Sequence, residues 1–232
     1  MNSPKVSLCL IVRNEITGCK GDVPLLPKEH LNEIFAVDGG STDGTVEYLE
    51  SQGIKVYKQK KRGINNAYIE ANEKSKNDNI IVFFPKKTID PNIIFKFKKF
   101  FSEDYDLIIS SRMHIQSVNE EDNQFLKFRK WSSLFLSKLV SIIWKKNGTQ
   151  IKDILHGVKG WKRNAFNKMK ILDHGITIDL EMVLQSYKLN LKSVEFPIQE
   201  KPLTYRESYF PFWSTGFKLM KFLIFEIFNL NK

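Results

Sequence analysis

The sequence predicts an α/β fold: a single domain with a mostly parallel central sheet, flanked by helices and followed by a helical C-terminal extension. Apolar, β-rich runs alternate with helical patterns in the first half of the chain, and this alternation is typical of parallel strands joined by crossover helices. The runs are almost continuously apolar, as in strands that are buried on both faces. With 232 residues, 42% of them hydrophobic, the chain is long enough for one sizeable core.

Six strands are predicted from these runs. They are residues 5–12 and the segments NEIFAVD, IKVYKQ, NIIVFF, YDLIISS and KSVEFP, which start at Asn32, Ile54, Asn79, Tyr105 and Lys192. Ligands of such sheets bind beyond the carboxyl ends of the strands. Functional side chains are therefore expected in residues 13–15, 38–45, 59–66, 85–90 and 110–113.

Helices are predicted where apolar residues recur at helical spacing. Between the strands they cover residues 43–52, 65–76 and 91–102, the last with Pro91 at the first helical position, where its missing N–H leaves no bond unmade. In the second half they cover residues 125–146, 178–189 and 212–230. The segment NGTQIKDILHGVKGWKR, which lies between the predicted helices 125–146 and 178–189, is interpreted as a glycine-rich loop.

Charge and cysteine content restrict the class of protein. The chain carries 36 Lys and Arg against 26 Asp and Glu, and the formal charge of +10 predicts an anionic partner. Nucleic acid is disfavoured because the lysines are scattered and no motif of a known module is present. A nicotinamide-dependent dehydrogenase is disfavoured because no Gly-x-Gly-x-x-Gly follows the first strand. Cys9 and Cys19 are too few for a disulfide framework or a zinc site, which indicates the cytoplasm.

The stretch VDGGSTDGT, residues 37–45, follows a predicted strand and opens a helix. Asp38 stands at the end of the strand, where a carboxylate can accept hydrogen bonds from a ribose or a base, as an acidic residue does in dinucleotide folds. Gly39 and Gly40 allow close backbone approach. The alternative is that Asp38 only holds the turn or caps the helix.

These and later motifs together resemble the family 2 glycosyltransferases. CLIVRNE and VDGGSTDGT match the start of that family, GINNAYIEANEKSKNDNIIVFF its Gly-rich turn, helix and fourth strand, and ISSRM, KDILHGVKGWKR, IDLEM and VEFPIQEKPLTYRES its later segments. The later segments are most similar to polyprenyl-phosphate sugar transferases of the dolichol-phosphate mannosyltransferase type. The resemblance implies a GT-A (Rossmann-like) domain in residues 1–210, with a nucleotide-sugar-binding half (1–112) and an acceptor half (113–210), followed by an amphipathic helix (211–232).

The resemblance also implies a hexosyltransferase-like enzyme that uses a nucleoside diphosphate sugar and inverts the anomeric configuration. Carried over by position, the donor-binding residues are Ile11, Arg13, Glu15, Asp38 and Gly63. The family often has Pro and Tyr where Ile11 and Arg13 stand, and Gly39 replaces a second Asp.

The family usually holds Mg²⁺ or Mn²⁺ against the donor pyrophosphate with an Asp-x-Asp motif after the fourth strand. Here Pro85 and Lys87 occupy the two carboxylate positions, so no cofactor is certain. Lys86 and Lys87 can supply the positive charge themselves as ammonium groups, which predicts a metal-independent transferase. Alternatively they form a solvated turn in an inactive, nucleotide-sugar-binding relative. The remaining carboxylate, Asp90, either binds a metal weakly or caps the next helix.

The acceptor is left open between a lipid phosphate and a glycan. A lipid phosphate is already anionic and needs cations, for which the resemblance supplies Arg112, Arg129 and Arg206, with Ser133 beside them. Each Arg taken alone is better explained by a surface ion pair, and the match at three family positions is what favours phosphate binding. A sugar hydroxyl would need a carboxylate base, for which the candidates are Asp179 and Glu181, followed by Asp153. The resemblance places His156 near the acceptor, where the family often has Ser.

Residues 212–230 have a narrow polar stripe and an apolar arc wider than that of an ordinary surface helix. Three locations fit this pattern: the inner face of a membrane, to which a cytoplasmic protein would be peripheral; a partner chain in an oligomer; and the protein's own core. No uncharged run approaches the roughly 18 residues of a membrane-spanning helix.

Overall fold

The computed structural model describes residues 4–119, 121–122, 127–173 and 175–229. Within them one sheet contains seven strands in the order β3-β2-β1-β4-β6-β5-β7. The strands are β1 Val6–Val12, β2 Glu33–Asp38, β3 Lys55–Lys58, β4 Asn79–Phe83, β5 Leu107–Ser111, β6 Lys159–Lys162 and β7 Ser193–Pro197. Only β6 runs antiparallel to its neighbours β4 and β5; the other pairings are parallel. The predicted α/β fold with a mostly parallel sheet is confirmed.

Helices cover both faces of this sheet. In the described residues they are α1 Ile16–Asp22, α2 Thr45–Ser51, α3 Ile64–Lys74, α4 Ile94–Ser102, α5 Phe128–Trp144, α6 Arg163–Met169, α7 Ile178–Lys188 and α8 Phe212–Phe228. A 3₁₀ turn, Pro91–Ile93, precedes α4. The predicted first residues of α5, from Phe125, and the last predicted residue of α8, Leu230, lie outside the described ranges.

The core forms two layers because neighbouring residues of a strand point to opposite faces. On β1, Cys9 and Ile11 pack with α3, α5 and α7, whereas Leu8 and Leu10 pack with α1, α2 and α4. Both faces of the strand are therefore buried, which explains its continuous apolar run.

Strand β6 lies where the sequence predicts a loop. Its residues KGWK include two lysines and a glycine, which β-strands disfavour. Tertiary packing overrides that preference: a Cβ on Gly160 would lie 2.7 Å from Phe97 of α4, so only glycine lets this helix pack so closely on the strand. Helices α1 and α6 were also missed, since seven residues are too few for a clear period.

Helix α8 packs on the core with one face and exposes the other. Leu219, Phe222 and Leu223 are buried, whereas Trp213 is 81% exposed and Phe217 is 75% exposed. Packing against the protein's own core, one of the three locations left open by the sequence, thus accounts for only part of the apolar arc. No helix in the described part of the chain combines the length and hydrophobicity needed to cross a membrane.

Candidate active site

The loops after β1, β2 and β3 enclose a first cleft of about 720 Å³ at the carboxyl edge of the sheet. It is lined by Arg13, by residues 38–42, by residues 58–62 and by the near side of α2. Its charged side chains are Arg13, Lys58, Lys60, Lys61, Arg62, Asp38, Glu47 and Glu50. The first cleft lies where open α/β sheets bind their ligands.

Asp38 is buried at the edge of the first cleft and holds the turn after β2. Its carboxylate accepts from the N–H of Gly40 at 3.0 Å and from the N–H of Ser41 at 3.1 Å. The Ser41 hydroxyl donates to the same carboxylate. The turn-forming role that the sequence left open for Asp38 is therefore present, and its contact with a donor stays a prediction.

The other predicted donor-binding residues are divided between the cleft and its surroundings. Arg13 lines the first cleft, and its guanidinium lies 5.5 Å from the centre of the Tyr209 ring. Ile11 is 8% exposed and belongs to the core. Gly63 begins α3 with a φ of 112°, and a Cβ there would lie 3.0 Å from the carbonyl oxygen of Gly175. Gly63 is therefore explained by its positive φ and its close contact with Gly175, and it does not line the first cleft.

Glu15 and Arg206, predicted on the donor and acceptor sides respectively, bind each other. The Glu15 carboxylate is buried, accepts from the Tyr205 hydroxyl at 2.6 Å and forms an ion pair with the Arg206 guanidinium. That guanidinium also stacks 4.1 Å from the centre of the Tyr209 ring, and burial lowers the pKa of Arg206. Residues 205–209 thus join the end of β1 to the acceptor half.

In the loop after β4, the side chains of the adjacent residues Lys86 and Lys87 have different surroundings. Lys86 lines a second cleft, with its Nζ 4.8 Å from the centre of the Phe84 ring. Lys87 has a positive φ of 58°, its N–H donates to Asp22 at 2.9 Å, and its side chain lies against Gly21. The structure therefore brings Lys86, but not Lys87, to a cleft.

The residues of this loop do not fit a divalent metal. Asp90 is exposed, and its Oδ1 accepts from the N–H of Asn92 at 2.9 Å as the cap of the next turn. Asp22 accepts from the N–H of Lys87. The described residues contain no group of three or more His, Cys, Asp or Glu that could hold a metal ion.

The second cleft, of about 1420 Å³, lies between the loops after β4 and β5, helices α5, α7 and α8, and the segment before α8. Its inner end carries polar and charged side chains, which include Lys86, Arg112, His156, Asp179 and Arg206. Its outer end is formed by apolar side chains of α5 and α8, which include Phe128, Trp131, Phe135, Phe212, Trp213, Phe217 and Met220. The second cleft is amphiphilic.

Arg112 is held at the inner end by the buried carboxylate of Asp153. Its Nε and Nη2 donate to the two carboxylate oxygens at 2.9 and 3.0 Å, and Nη1 lies 3.4 Å from Glu200. Burial alone would raise the pKa of Asp153, but the Arg112 guanidinium outweighs it and lowers that pKa to about 2. The bidentate pair fixes the direction of Arg112.

His156 lies beside this pair as a neutral imidazole. Its Nδ1 is 2.8 Å from the hydroxyl of Ser110, which also lies 2.9 Å from the carbonyl of Val158. Burial and the neighbouring Arg112 lower the pKa of His156 to about 3. A histidine so far from its ordinary pKa is a hydrogen-bonding group near pH 7 rather than a cation.

Asp179 faces the second cleft from the first turn of α7 and is held by a buried lysine. Lys159 Nζ donates to Asp179 Oδ1 at 2.6 Å and to the carbonyl of His156. Lys159 is fully buried, and burial lowers its pKa. Within the described ranges no protein group donates to Asp179 Oδ2. Sequence reasoning missed Lys159 because it treated this strand as a loop.

Glu181, the second predicted base, does not line either cleft. It is buried, and its carboxylate accepts from the N–H of Leu172 at 2.8 Å, from Thr177 Oγ1 at 3.1 Å and from Asn65 Nδ2 at 3.2 Å. Burial raises the pKa of Glu181. The carboxylate therefore fastens the loop before α7 to α3.

Arg129 and Ser133 lie one helical turn apart on α5, and both line the second cleft. Arg129 is exposed, and its Nη2 lies 3.4 Å from the carbonyl of Phe210. Ser133 is 1% exposed, and among the described residues its hydroxyl has no hydrogen-bond partner. Three predicted phosphate-binding residues, Arg112, Arg129 and Arg206, thus share this cleft.

The model of one family, Glycosyl transferase family 2, matches residues 26–171. The chain belongs to this family. Glycosyltransferase AglJ of Haloferax volcanii is 25% identical over 175 residues, which are 75% of this chain and 55% of that protein. The family 2 chain therefore spans about half the length of this curated relative.

Solved structures share the fold of this family 2 protein. Glucosyl-3-phosphoglycerate synthase from Mycobacterium tuberculosis, in complex with Mn²⁺ and UDP-glucose, has a TM-score of 0.68 at 14% identity and covers 95% of this chain and 78% of its own. The same synthase in complex with phosphoglyceric acid has a TM-score of 0.67 at 14% identity, with 95% and 79% covered. At this identity the likeness establishes the GT-A fold alone.

Proposed function

We propose that this glycosyltransferase moves a hexose-type sugar from a nucleoside diphosphate sugar to a lipid phosphate, with inversion at the anomeric carbon. The observation that carries the proposal is the amphiphilic second cleft. Its inner end offers the guanidinium groups of Arg112 and Arg206, the exposed Arg129 of α5 adds a third cation to the lining, and its outer end is aromatic and lies between α5 and α8. Such a cleft suits a phosphate joined to a long apolar chain.

The first cleft is assigned to the nucleotide of the donor. Its place at the carboxyl ends of β1 to β3 and its many cations support this assignment. The relatives support it as well, since one structure of the mycobacterial synthase is a complex with UDP-glucose, and AglJ is named a glycosyltransferase. Arg13 and Asp38 are the predicted donor-binding residues in this cleft.

The transfer is a single displacement. A phosphate oxygen of the acceptor attacks the anomeric carbon while the bond from that carbon to the β-phosphate oxygen breaks, and the bonding electrons leave with the nucleoside diphosphate. The attacking oxygen is already anionic, so no base has to remove a proton. The ammonium of Lys86 stabilises the charge that develops on the leaving group, in the role that a metal has elsewhere in the family.

A membrane surface is the proposed source of the lipid. The outer end of the second cleft continues into exposed apolar side chains of both α5 and α8, among them Phe135 at 62%, Phe217 at 75% and Phe228 at 80% exposure. Lys138, Lys218 and Lys221 are exposed on the same helices. Aromatic rings bordered by lysines match the interface of an anionic bilayer, here its cytoplasmic face.

Two other functions predict different results. In a transferase with a glycan acceptor, Asp179 would take a proton from the attacking hydroxyl, because this carboxylate lines the cleft. In an inactive relative, donor would bind without turnover. Only the lipid-phosphate transferase predicts transfer to a short-chain polyprenyl phosphate that does not require Asp179 as a base.

The experiment measures donor binding by calorimetry and transfer to a short-chain polyprenyl phosphate, with Mn²⁺ and again with excess chelator. The matched variants are Lys86→Ala and Lys87→Ala, since only the first lysine lines the cleft. We expect activity in chelator that falls at least about tenfold in Lys86→Ala and stays near wild type in Lys87→Ala. Activity that requires Mn²⁺ would contradict the role of Lys86, and binding without any transfer would favour the inactive relative.

A further inference from the structure

Gln59 borders the first cleft at the end of β3, next to the bare backbone of Gly39. A Cβ placed on Gly39 would lie 3.4 Å from the Cβ of Arg13 and 3.5 Å from Oε1 of Gln59. The glycine stands where the family has a second Asp, so a narrow space is left beside both side chains. We call the space bordered by Arg13, Gly39 and Gln59 the Gly39 slot.

The side-chain amide of Gln59 has a fixed direction. Its Nε2 donates to the carbonyls of Lys61 and Gly63, each at 2.6 Å, and carbonyl oxygens cannot be donors. Both amide hydrogens are thereby used, and Oε1 must be the atom at the Gly39 slot. No residue in the described ranges donates a hydrogen bond to Oε1.

The backbone around Gln59 is equally well fixed. Its own N–H donates to the carbonyl of Asp38 at 2.8 Å, and the N–H of Lys60 donates to the buried Glu70 at 2.6 Å. Oε1 is thus a preorganised acceptor, which costs little entropy to use. Asp38 is less available, because the N–H groups of Gly40 and Ser41 and the Ser41 hydroxyl already donate to its carboxylate.

The charges near this acceptor indicate which base it fits. The cationic side chains of Arg13, Lys58 and Lys60 line the same cleft, and they match carbonyl oxygens. Uracil presents an imide N–H between two carbonyl oxygens. Adenine and cytosine present an amino group beside a ring nitrogen, and guanine presents its N–H beside an amino group. A fixed neutral acceptor with Arg13, Lys58 and Lys60 in the same cleft matches the uracil edge.

We propose that Gln59 selects uracil as the base of the donor by accepting its N3–H, while cations of the first cleft meet the flanking carbonyls and the Arg13 guanidinium lies against the ring. This inference rests on the proposed nucleotide-sugar donor and adds the identity of its base. Gln59 thereby acts as a specificity residue that the sequence motifs do not mark.

The test compares UDP with N3-methyl-UDP by calorimetry, alongside ADP, CDP and GDP, on the wild-type chain and on Gln59→Ala. Wild type is expected to bind UDP at least about tenfold more tightly than N3-methyl-UDP, since one hydrogen bond is lost. In Gln59→Ala the two ligands are expected to bind equally. This ratio is insensitive to loosening of the loop, because the ligands differ only at N3.

The outcomes separate this inference from the function on which it rests. Equal binding of UDP and N3-methyl-UDP to wild type, or tighter binding of ADP, CDP or GDP, would overturn the role of Gln59 and leave a nucleotide-binding transferase. An unchanged preference for UDP in Gln59→Ala would also overturn it. Failure of every nucleoside diphosphate to bind would overturn the proposed function together with the inference.

Discussion

Lys159 Nζ lies 2.6 Å from Asp179 Oδ1, and the lysine has no exposed surface. A buried ammonium is costly to desolvate, so a buried ion pair often contributes little net stability compared with two well-packed apolar side chains. The pair thus contributes direction rather than net stability, because Lys159 holds the carboxylate of Asp179, which lines the second cleft.

Removing only the lysine should therefore affect both folding and transfer. In Lys159→Met we expect the free energy of unfolding to fall by about 3 kcal/mol, because the carboxylate of Asp179 loses its buried partner, and the transfer rate to fall at least about tenfold, because Asp179 is no longer held in place. Urea denaturation and initial rates measure the two quantities. The control is Lys162→Met on the same strand, whose lysine binds the surface carboxylates Asp104 and Asp106. Equal rate losses in both variants would contradict a specific role for Lys159.

The buried His156 predicts a pH dependence of stability. Its pKa is lowered from 6.5 to about 3 in the folded protein, so between these values the unfolded chain binds a proton that the folded protein does not. The contribution of His156 to stability is therefore most favourable above pH 6.5, and it falls as the pH falls towards 3, by up to about 1.4 kcal/mol per pH unit for this one proton. Urea denaturation of wild type and His156→Gln from pH 7 to pH 4 measures the difference in slope. Parallel curves would show that His156 titrates normally.

Two glycines provide a matched pair for backbone strain. Gly63 has a φ of 112° and faces the carbonyl of Gly175, whereas a Cβ on Gly216 of α8 meets nothing within 4 Å. We expect Gly63→Ala to destabilise by about 1 to 3 kcal/mol and Gly216→Ala to stabilise by up to about 1 kcal/mol, as alanine does inside a helix. Thermal unfolding measures both changes. Loss of stability in both variants would mean that α8 has less room than the structure indicates.

The exposed face of α8 predicts binding to anionic lipid. Trp213→Ser with Phe217→Ser removes two rings that are 81% and 75% exposed, so sedimentation with phosphatidylglycerol vesicles should weaken at least about tenfold. Binding should also weaken with added salt and be poor on phosphatidylcholine. The control is Leu25→Ser, which removes an apolar residue that is 60% exposed after α1. A stable dimer without vesicle binding would assign this face to a second copy of the chain instead.

The parts of the fold that the sequence predicts are those with a local signal. Strand β1 is recognisable because both of its faces are buried, and the turn at Asp38 because its glycines and acids follow a strand directly. Strand β6 is not recognisable from its own residues. Gly160 is required there because Phe97 of α4, about sixty residues earlier in the chain, packs against it.

The site is harder to predict for the same reason. Lys86 and Lys87 are adjacent and chemically identical, yet Lys86 lines the second cleft, whereas Lys87, with a positive φ, lies against Gly21. Gln59 becomes a fixed acceptor only through two carbonyls of its own loop. Neither effect is visible in the residue types, because both depend on backbone geometry.

The contact between Glu15 and residues 205–209 has a consequence for synthesis on the ribosome. Tyr205 lies 190 positions after Glu15. Tyr209 donates to the carbonyl of Arg13 at 3.0 Å and lies 196 positions after Arg13. The parallel strands of the first half can pair early, but the buried carboxylate beside β1 acquires its cation only after almost the whole domain has been translated. The ion pair and hydrogen bonds of Glu15 therefore depend on one of the most distant contacts in the chain, and they cannot form during synthesis before residues 205 and 206 have been translated.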